Sequence, residues 1–206
     1  MVQTLQAKNV TLRDLIDQFQ LQLVEDDRFF FEWQEGLPSL TELEMQELDK
    51  IRAGYSNLRS HSPVLERGVQ LAVLSPMLFL ANFYLPPFQI RTEQSTEIAV
   101  TDGETVIRGQ LDILLLKEGF WLMAIESKEF ALSPEAGIAQ LLAYMLAAPI
   151  RERPLFGLIT SGRTFQFIKL IAGDRPQYAM SDDFGILNRV NGLYHAFRIM
   201  KRIGQL

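Results

Sequence analysis

Residues 109–130, GQLDILLLKEGFWLMAIESKEF, constrain the fold of this chain more than any other stretch. Their apolar residues run on without alternation, which marks strands covered on both faces. Such strands exclude charge, because an ion buried without compensation costs several kcal/mol, on the order of an effective desolvation penalty. Yet Asp112, Glu126 and Lys128 stand within the stretch. Either they pair with one another, as an ion pair of Lys128 with Glu126 or Asp112, or they hold a metal ion.

Strand parity decides whether these side chains can meet, since successive residues point to opposite faces. A two-residue turn would put Asp112 and Glu126 on opposite faces. A three-residue turn, Lys117-Glu118-Gly119, pairs Leu116 with Phe120 and Asp112 with Ala124, which brings Asp112, Glu126 and Lys128 to one face. Gly119 favours that register, because such a hairpin ends its loop on a left-handed residue. Two carboxylates converging without His or Cys suit a hard cation, Mg²⁺ or Mn²⁺, with the backbone carbonyl of Ser127 as a further ligand. Lys128 would orient a bound water or hold a phosphate oxygen.

Around this hairpin the chain reads as an α/β protein. Thr11 with Asp14 opens a helix, and a Ser39/Glu42 capping box opens a second over 40–59. Phe29, Phe30, Phe31 and Trp33 form an aromatic knot between them. Ser62-Pro63 starts a helix running toward Leu74, Ser75-Pro76 kinks or restarts it, and Pro86-Pro87 ends it. Strands follow from Glu93, with Asp102-Gly103 as the turn before Thr105–Lys117. Ser133-Pro134 caps a helix over 135–148; strands over 154–160 and 164–171 meet at Ser161-Gly162; and Asp182/Asp183 open a last helix through Met200. Two units are expected, a helical extension over 1–61 packed on a core over 62–206.

Composition removes several function classes. Cysteine is absent, which excludes disulfides and thiolate chemistry and agrees with a cytoplasmic protein. The most apolar run, Val69 to Phe88, is broken by Gln70, Ser75, Pro76 and Asn82, so no membrane span is expected. Two histidines and no G-x-S-x-G motif argue against a Ser/His/Asp hydrolase, and neither a phosphate-binding P-loop nor a dinucleotide loop occurs. The net charge of −5 is uneven: residues 1–61 hold six basic and eleven acidic side chains, whereas 151–206 hold nine basic and four acidic. This leaves the C-terminal third two readings, contact with a polyanion or a solvated charged face with cations near a helix C-terminus.

Gln140 and Tyr144 lie four apart on one face of the helix that follows Glu126-Ser127-Lys128. With Asp112 they make a pattern that resembles the PD-(D/E)xK nuclease superfamily, in particular its RecB-like branch and the N-terminal nuclease domain of type I restriction R subunits. The resemblance covers roughly residues 62–171 and implies a restriction-endonuclease-like mixed β-sheet flanked by helices. It implies Asp112 and Glu126 as metal ligands, Lys128 as the catalytic lysine, and Gln140 and Tyr144 as residues that support the site or contact DNA. Glu66 is the candidate for a further acid from the first core helix, with Glu93 and Glu97 as weaker alternatives. Leu111 stands where the family name expects proline. The function so implied is Mg²⁺- or Mn²⁺-dependent hydrolysis of DNA phosphodiester bonds, linked to restriction or repair. The competing expectation is a catalytically silent module that docks a protein or nucleic-acid partner. A homodimer or a protein partner is expected to use the N-terminal helices.

Overall fold

The computed structural model describes residues 3–61, 63–99, 105–127, 134–149, 153–188 and 191–206. In chain order it contains β1 (Gln3–Gln6), α1 (Leu12–Phe19), β2 (Gln22–Leu23), α2 (Glu42–His61), α3 (Glu66–Val69), a π-helical turn (Gln70–Leu74) and α4 (Ser75–Leu80). Then follow β3 (Phe88–Ala99), β4 (Thr105–Lys117), β5 (Phe120–Ser127), α5 (Pro134–Leu146), β6 (Leu155–Thr160), β7 (Thr164–Ile171), β8 (Gln177–Met180), β9 (Phe184–Gly185) and α6 (Gly192–Gly204). Among the described residues nine strands join one mixed sheet in the order β1-β4-β5-β6-β7-β8-β2, with β3 beside β4 and β9 beside β7. Among the described residues no helix is long and apolar enough to cross a membrane.

Each face of the sheet has its own core. On one face α5 covers Leu111, Leu114, Leu116 and Ala124, together with Leu15 of α1. Residues Gly137 to Leu146 of α5 are all buried, as expected of a helix apolar on every side. On the other face α2, α4 and α6 pack on Ile113, Leu115, Met123 and Ile125. A parallel connection needs a crossover, and α5 supplies it between β5 and β6.

The N-terminal 61 residues are not simply a helical extension. β1 pairs in parallel with β4, and β2 pairs in parallel with β8, so this segment reaches distant strands of the sheet. Strands of two to four residues carry too little period-two signal to stand out from a sequence. Helix boundaries also moved. Ser39-Leu40-Thr41-Glu42-Leu43-Glu44 contains two overlapping capping boxes, and the second is used: the Thr41 amide donates to Glu44 at 2.8 Å and the Glu44 amide to Thr41 Oγ1 at 3.2 Å. Tertiary contacts favour that choice, because Arg198 of α6 donates to the carbonyls of Leu37 and Pro38 and Lys201 pairs with Glu44. The kink expected at Ser75-Pro76 is absorbed by the π-helical turn. The Ser75 amide reaches back to the Gln70 carbonyl, the i→i−5 bond of a π turn, just before the proline that can donate nothing. The final helix starts at Gly192 rather than near Asp182, since Phe184 and Gly185 first pair with Phe165 and Thr164. Ser62, Asp102-Gly103 and Ser133 lie outside the described residues.

His195 on α6 stacks on Phe184, with ring centroids 5.1 Å apart. Burial, with Arg198 adding to it, pushes its imidazole below the ordinary value. The unfolded chain therefore takes up this proton first, so His195's contribution is complete above about pH 6.5 and shrinks as the pH falls. Urea unfolding at about pH 7.5 and about pH 5.5 is expected to show a smaller loss of midpoint in His195→Gln than in the wild type. An equal loss in both proteins would assign the pH response to other groups.

Candidate metal centre

Asp112 and Glu126 do share a face, though by a route other than the expected one. The turn has two residues: Lys117 pairs with Phe120 and Leu116 with Trp121. Glu118 and Gly119 both take positive φ, 53° and 84°, as a type I′ hairpin requires. Left to itself this turn would put Asp112 opposite Ile125. The register shifts beyond Leu116, however, so that Leu115 pairs with Met123 and Leu122 is the extra residue of a β-bulge. Leu122 and Met123 consequently both enter the same core. Past the bulge Leu114 meets Ala124 and Ile113 meets Ile125, which aligns Asp112 with Glu126. The expected pairings of Leu116 with Phe120 and Asp112 with Ala124 are thus corrected, while the shared face stands.

The site lies where β4 exchanges one neighbour for another. β3 follows one edge of β4 along its length; the opposite edge is held by β5 at Ile113–Lys117 and by β1 at Thr105–Arg108. Between those two pairings no strand among the described residues is paired with this edge, and the Ser127 amide donates to the Asp112 carboxylate at 2.7 Å. The β3 ladder also skips Asp112, pairing Thr92 with Ile113 and Gln94 with Leu111. Glu93 between them has φ of 51° and is exposed, and it lies outside the acidic cluster described next. The Glu97 side chain lies outside the described residues.

Glu66, the first residue of α3, completes the centre. One carboxylate oxygen from each of Glu66, Asp112 and Glu126 falls within 4.8 Å of the others. Three negative charges at this spacing repel by roughly 3 kcal/mol per pair at an effective dielectric of 20. A divalent cation reverses that term. The donor set fits a hard one: oxygens coordinated at about 2.0–2.6 Å, the span from Mg²⁺ to Ca²⁺, lie up to roughly 4–5 Å apart across the ion. The cluster contains no nitrogen or sulfur donor that would favour zinc.

The remaining expected residues form the frame. Gln140 Nε2 donates to Glu126 Oε1 at 2.8 Å and to the Tyr144 hydroxyl at 2.8 Å. Tyr144 in turn donates to the Gln110 carbonyl at 3.0 Å. One helix face therefore ties β5 to β4 two residues from Asp112. Burial, with the Glu126 charge adding to it, pushes the Tyr144 hydroxyl up to about 12, so it stays a donor at any physiological pH. Both side chains are buried, which suits support of the site and not contact with DNA. Gly109 leaves room for this frame: a Cβ there would lie 2.6 Å from Tyr144 Cε1 and 2.7 Å from Ala7 Cβ. Lys128 lies outside the described residues.

Gln70 and the Ser127 side chain also belong to the frame, and neither carries a local sequence signal specific to that role. Gln70 Nε2 donates to Ser127 Oγ at 2.8 Å, and Ser127 Oγ donates to Asp112 Oδ2 at 2.7 Å. Asp112 Oδ2 thus receives both the amide and the hydroxyl of Ser127, and the hydroxyl is oriented by Gln70. Glu66 and Gln70 are four apart, the same i, i+4 spacing that singled out Gln140 and Tyr144. Outer hydrogen bonds of this kind are worth about 10–100-fold in metal affinity. Ser127→Ala and Gln70→Ala are expected to weaken Mn²⁺ binding by that factor in calorimetry, with thermal unfolding little changed. Wild-type affinity in both would leave this pair without a role at the centre.

No protein-family model matches the sequence, and no curated protein matches it.

Proposed function

We propose that this chain is a metal-dependent nuclease of the PD-(D/E)xK type that hydrolyses DNA phosphodiester bonds. The observation that carries the reading is the convergence of Glu66, Asp112 and Glu126 from α3, β4 and β5 on a point where one cation fits them all. The order of helix, three strands, crossover helix and strand around that point supports a restriction-endonuclease-like core. The hydrogen bonds of Gln140 to Glu126 and to Tyr144 on the crossover helix support the same reading.

In this reading Glu66, Asp112 and Glu126 would hold Mg²⁺ or Mn²⁺, with the Ser127 carbonyl as a further ligand. When bound, such an ion lowers the pKa of a coordinated water and neutralises charge on a phosphoryl group. Lys128 orients the attacking water or holds a non-bridging oxygen, and Gln140 fixes the carboxylate of Glu126. Of the basic side chains of residues 151–206, the exposed Arg153, Arg163 and Arg175 guide the polyanion in a salt-dependent manner, whereas Lys169 is buried against Glu32.

Incubation with plasmid, linear and single-stranded DNA in Mg²⁺ or Mn²⁺ tests this, beside Glu126→Gln and Lys128→Ala. Cleavage by the wild type, lost in both variants and in chelator, is the expected result. Cleavage equal in all three proteins would place the activity elsewhere. Metal binding without cleavage of any of these DNAs would favour the silent docking module.

A further inference from the structure

Between α2 and the helical run of α3 and α4 lies an open groove of about 1280 Å³. Large apolar side chains on its walls face water: Leu71 is 75% exposed, Phe79 72%, Leu43 64%, Tyr84 48% and Leu58 39%. Together these amount to about three whole large side chains, a concentration of exposed apolar residues that on a monomer commonly marks a functional patch.

The charges on the lip indicate which partner. Glu47 and Lys50 line the groove and pair with each other at 2.6 Å, so the lip is neutral and offers nothing to a strongly charged ligand. A two-fold axis beside α2 and perpendicular to it, level with the midpoint between them, reverses their order, which sets Glu47 of one copy against Lys50 of the other. The same axis sets Leu43 against Gly54, since both pairs are symmetric about the same point of the helix. Gly54 has open space around its missing Cβ, with nothing within 4 Å. A glycine inside a helix costs about 0.5–1 kcal/mol relative to alanine, and no neighbour within the protomer requires it.

We propose that this groove is the interface of a homodimer, an isologous contact in which α2 of one copy crosses α2 of a second. Leu43 of each copy sits over Gly54 of the other, and Leu71 and Phe79 close on the incoming helix. The assignment is independent of the metal centre.

Analytical ultracentrifugation of the full chain is the test. The wild type is expected at twice its 23.6 kDa mass by about 100 µM, a modest affinity for an interface of standard size. Gly54→Gln fills the hole with a better helix former and should give a monomer whose melting temperature is not lowered. Leu71→Asp with Phe79→Asp, at exposed positions, should do the same. Glu47→Lys and Lys50→Glu should each weaken the dimer about tenfold, and the two together should restore it, because the reversed pair is again its own complement. A wild type that stays monomeric at about 100 µM overturns the proposal. So does a dimer that survives both Gly54→Gln and the Leu71/Phe79 double variant, or one whose charge variants are not rescued by combination.

Discussion

Glu126→Gln is expected to lower Mn²⁺ affinity at least about 100-fold, because under the proposed function it removes a direct ligand, where the loss of outer hydrogen bonds alone reaches that size. DNA cleavage should fall on the order of 10³-fold, the equivalent of about 4 kcal/mol of lost charge stabilisation. Glutamine keeps the shape of the side chain and still offers an oxygen to Gln140, whose amide lies 2.8 Å from Glu126 Oε1. The fold should therefore survive, and circular dichroism melting is expected to place the variant within a few degrees of wild type, as for a change of about 1 kcal/mol. Asp112→Asn should behave alike in metal binding. Calorimetry that finds wild-type affinity in either variant would remove these carboxylates from the centre.

Lys169→Met is expected to destabilise the fold by about 3–5 kcal/mol, since it strands a buried carboxylate. Lys169 Nζ lies 2.6 Å from Glu32 Oε1, and both side chains are only 6% exposed. The ammonium also donates to the Phe29 carbonyl at 2.8 Å and faces the rings of Phe29 and Phe31 at 5.6 and 5.4 Å. Two rings of the aromatic knot thus flank this cation, while Phe30 and Trp33 pack on Phe156 and Phe184, and together they dock the N-terminal segment on the sheet. Adding Glu32→Leu to Lys169→Met should recover most of the loss, because removing both charges also removes their desolvation. Urea unfolding of the two single variants and the double variant measures the cycle. A single-variant cost below about 1 kcal/mol would mean that water reaches the pair, as in an exposed ion pair.

The hairpin shows how far local rules carry. Alternation requires an odd residue somewhere between Asp112 and Glu126 if they are to meet, and their unusual burial demanded that they meet. Where the extra residue sits is not a local matter. Glu118 is not a residue that favours positive φ, which costs about 1–2 kcal/mol outside glycine, so the sequence argued against a two-residue turn. The Glu118 amide is nonetheless held by the Pro87 carbonyl at 3.3 Å, a contact with the chain entering β3. The odd residue then appears as Leu122, whose side chain finds room in the core beside Met123.

Gln70 was out of reach for a related reason. An i, i+4 pair is visible in any sequence, but Glu66 and Gln70 gain meaning only when α3 is laid against the end of β5, 57 residues on from Gln70. The buried partner of Lys169 was hidden in the same way, 137 residues back at Glu32. Glu66, by contrast, was reached through the family resemblance and then located at the cluster.

By itself, the sequence determined the strands and helices whose periodicity is long, the burial of Ile113–Leu116 and Leu122–Ser127, and the need for Asp112 and Glu126 to face one another. These depend on side-chain alternation and on the cost of isolated buried charge, both set within a few residues. Only the tertiary structure decided which residue bulges, which capping box α2 uses, and that β1 and β5 share one edge of β4 to open the gap at Asp112. Each of those choices is a competition between local options of similar energy, and contacts distant in the chain break the tie.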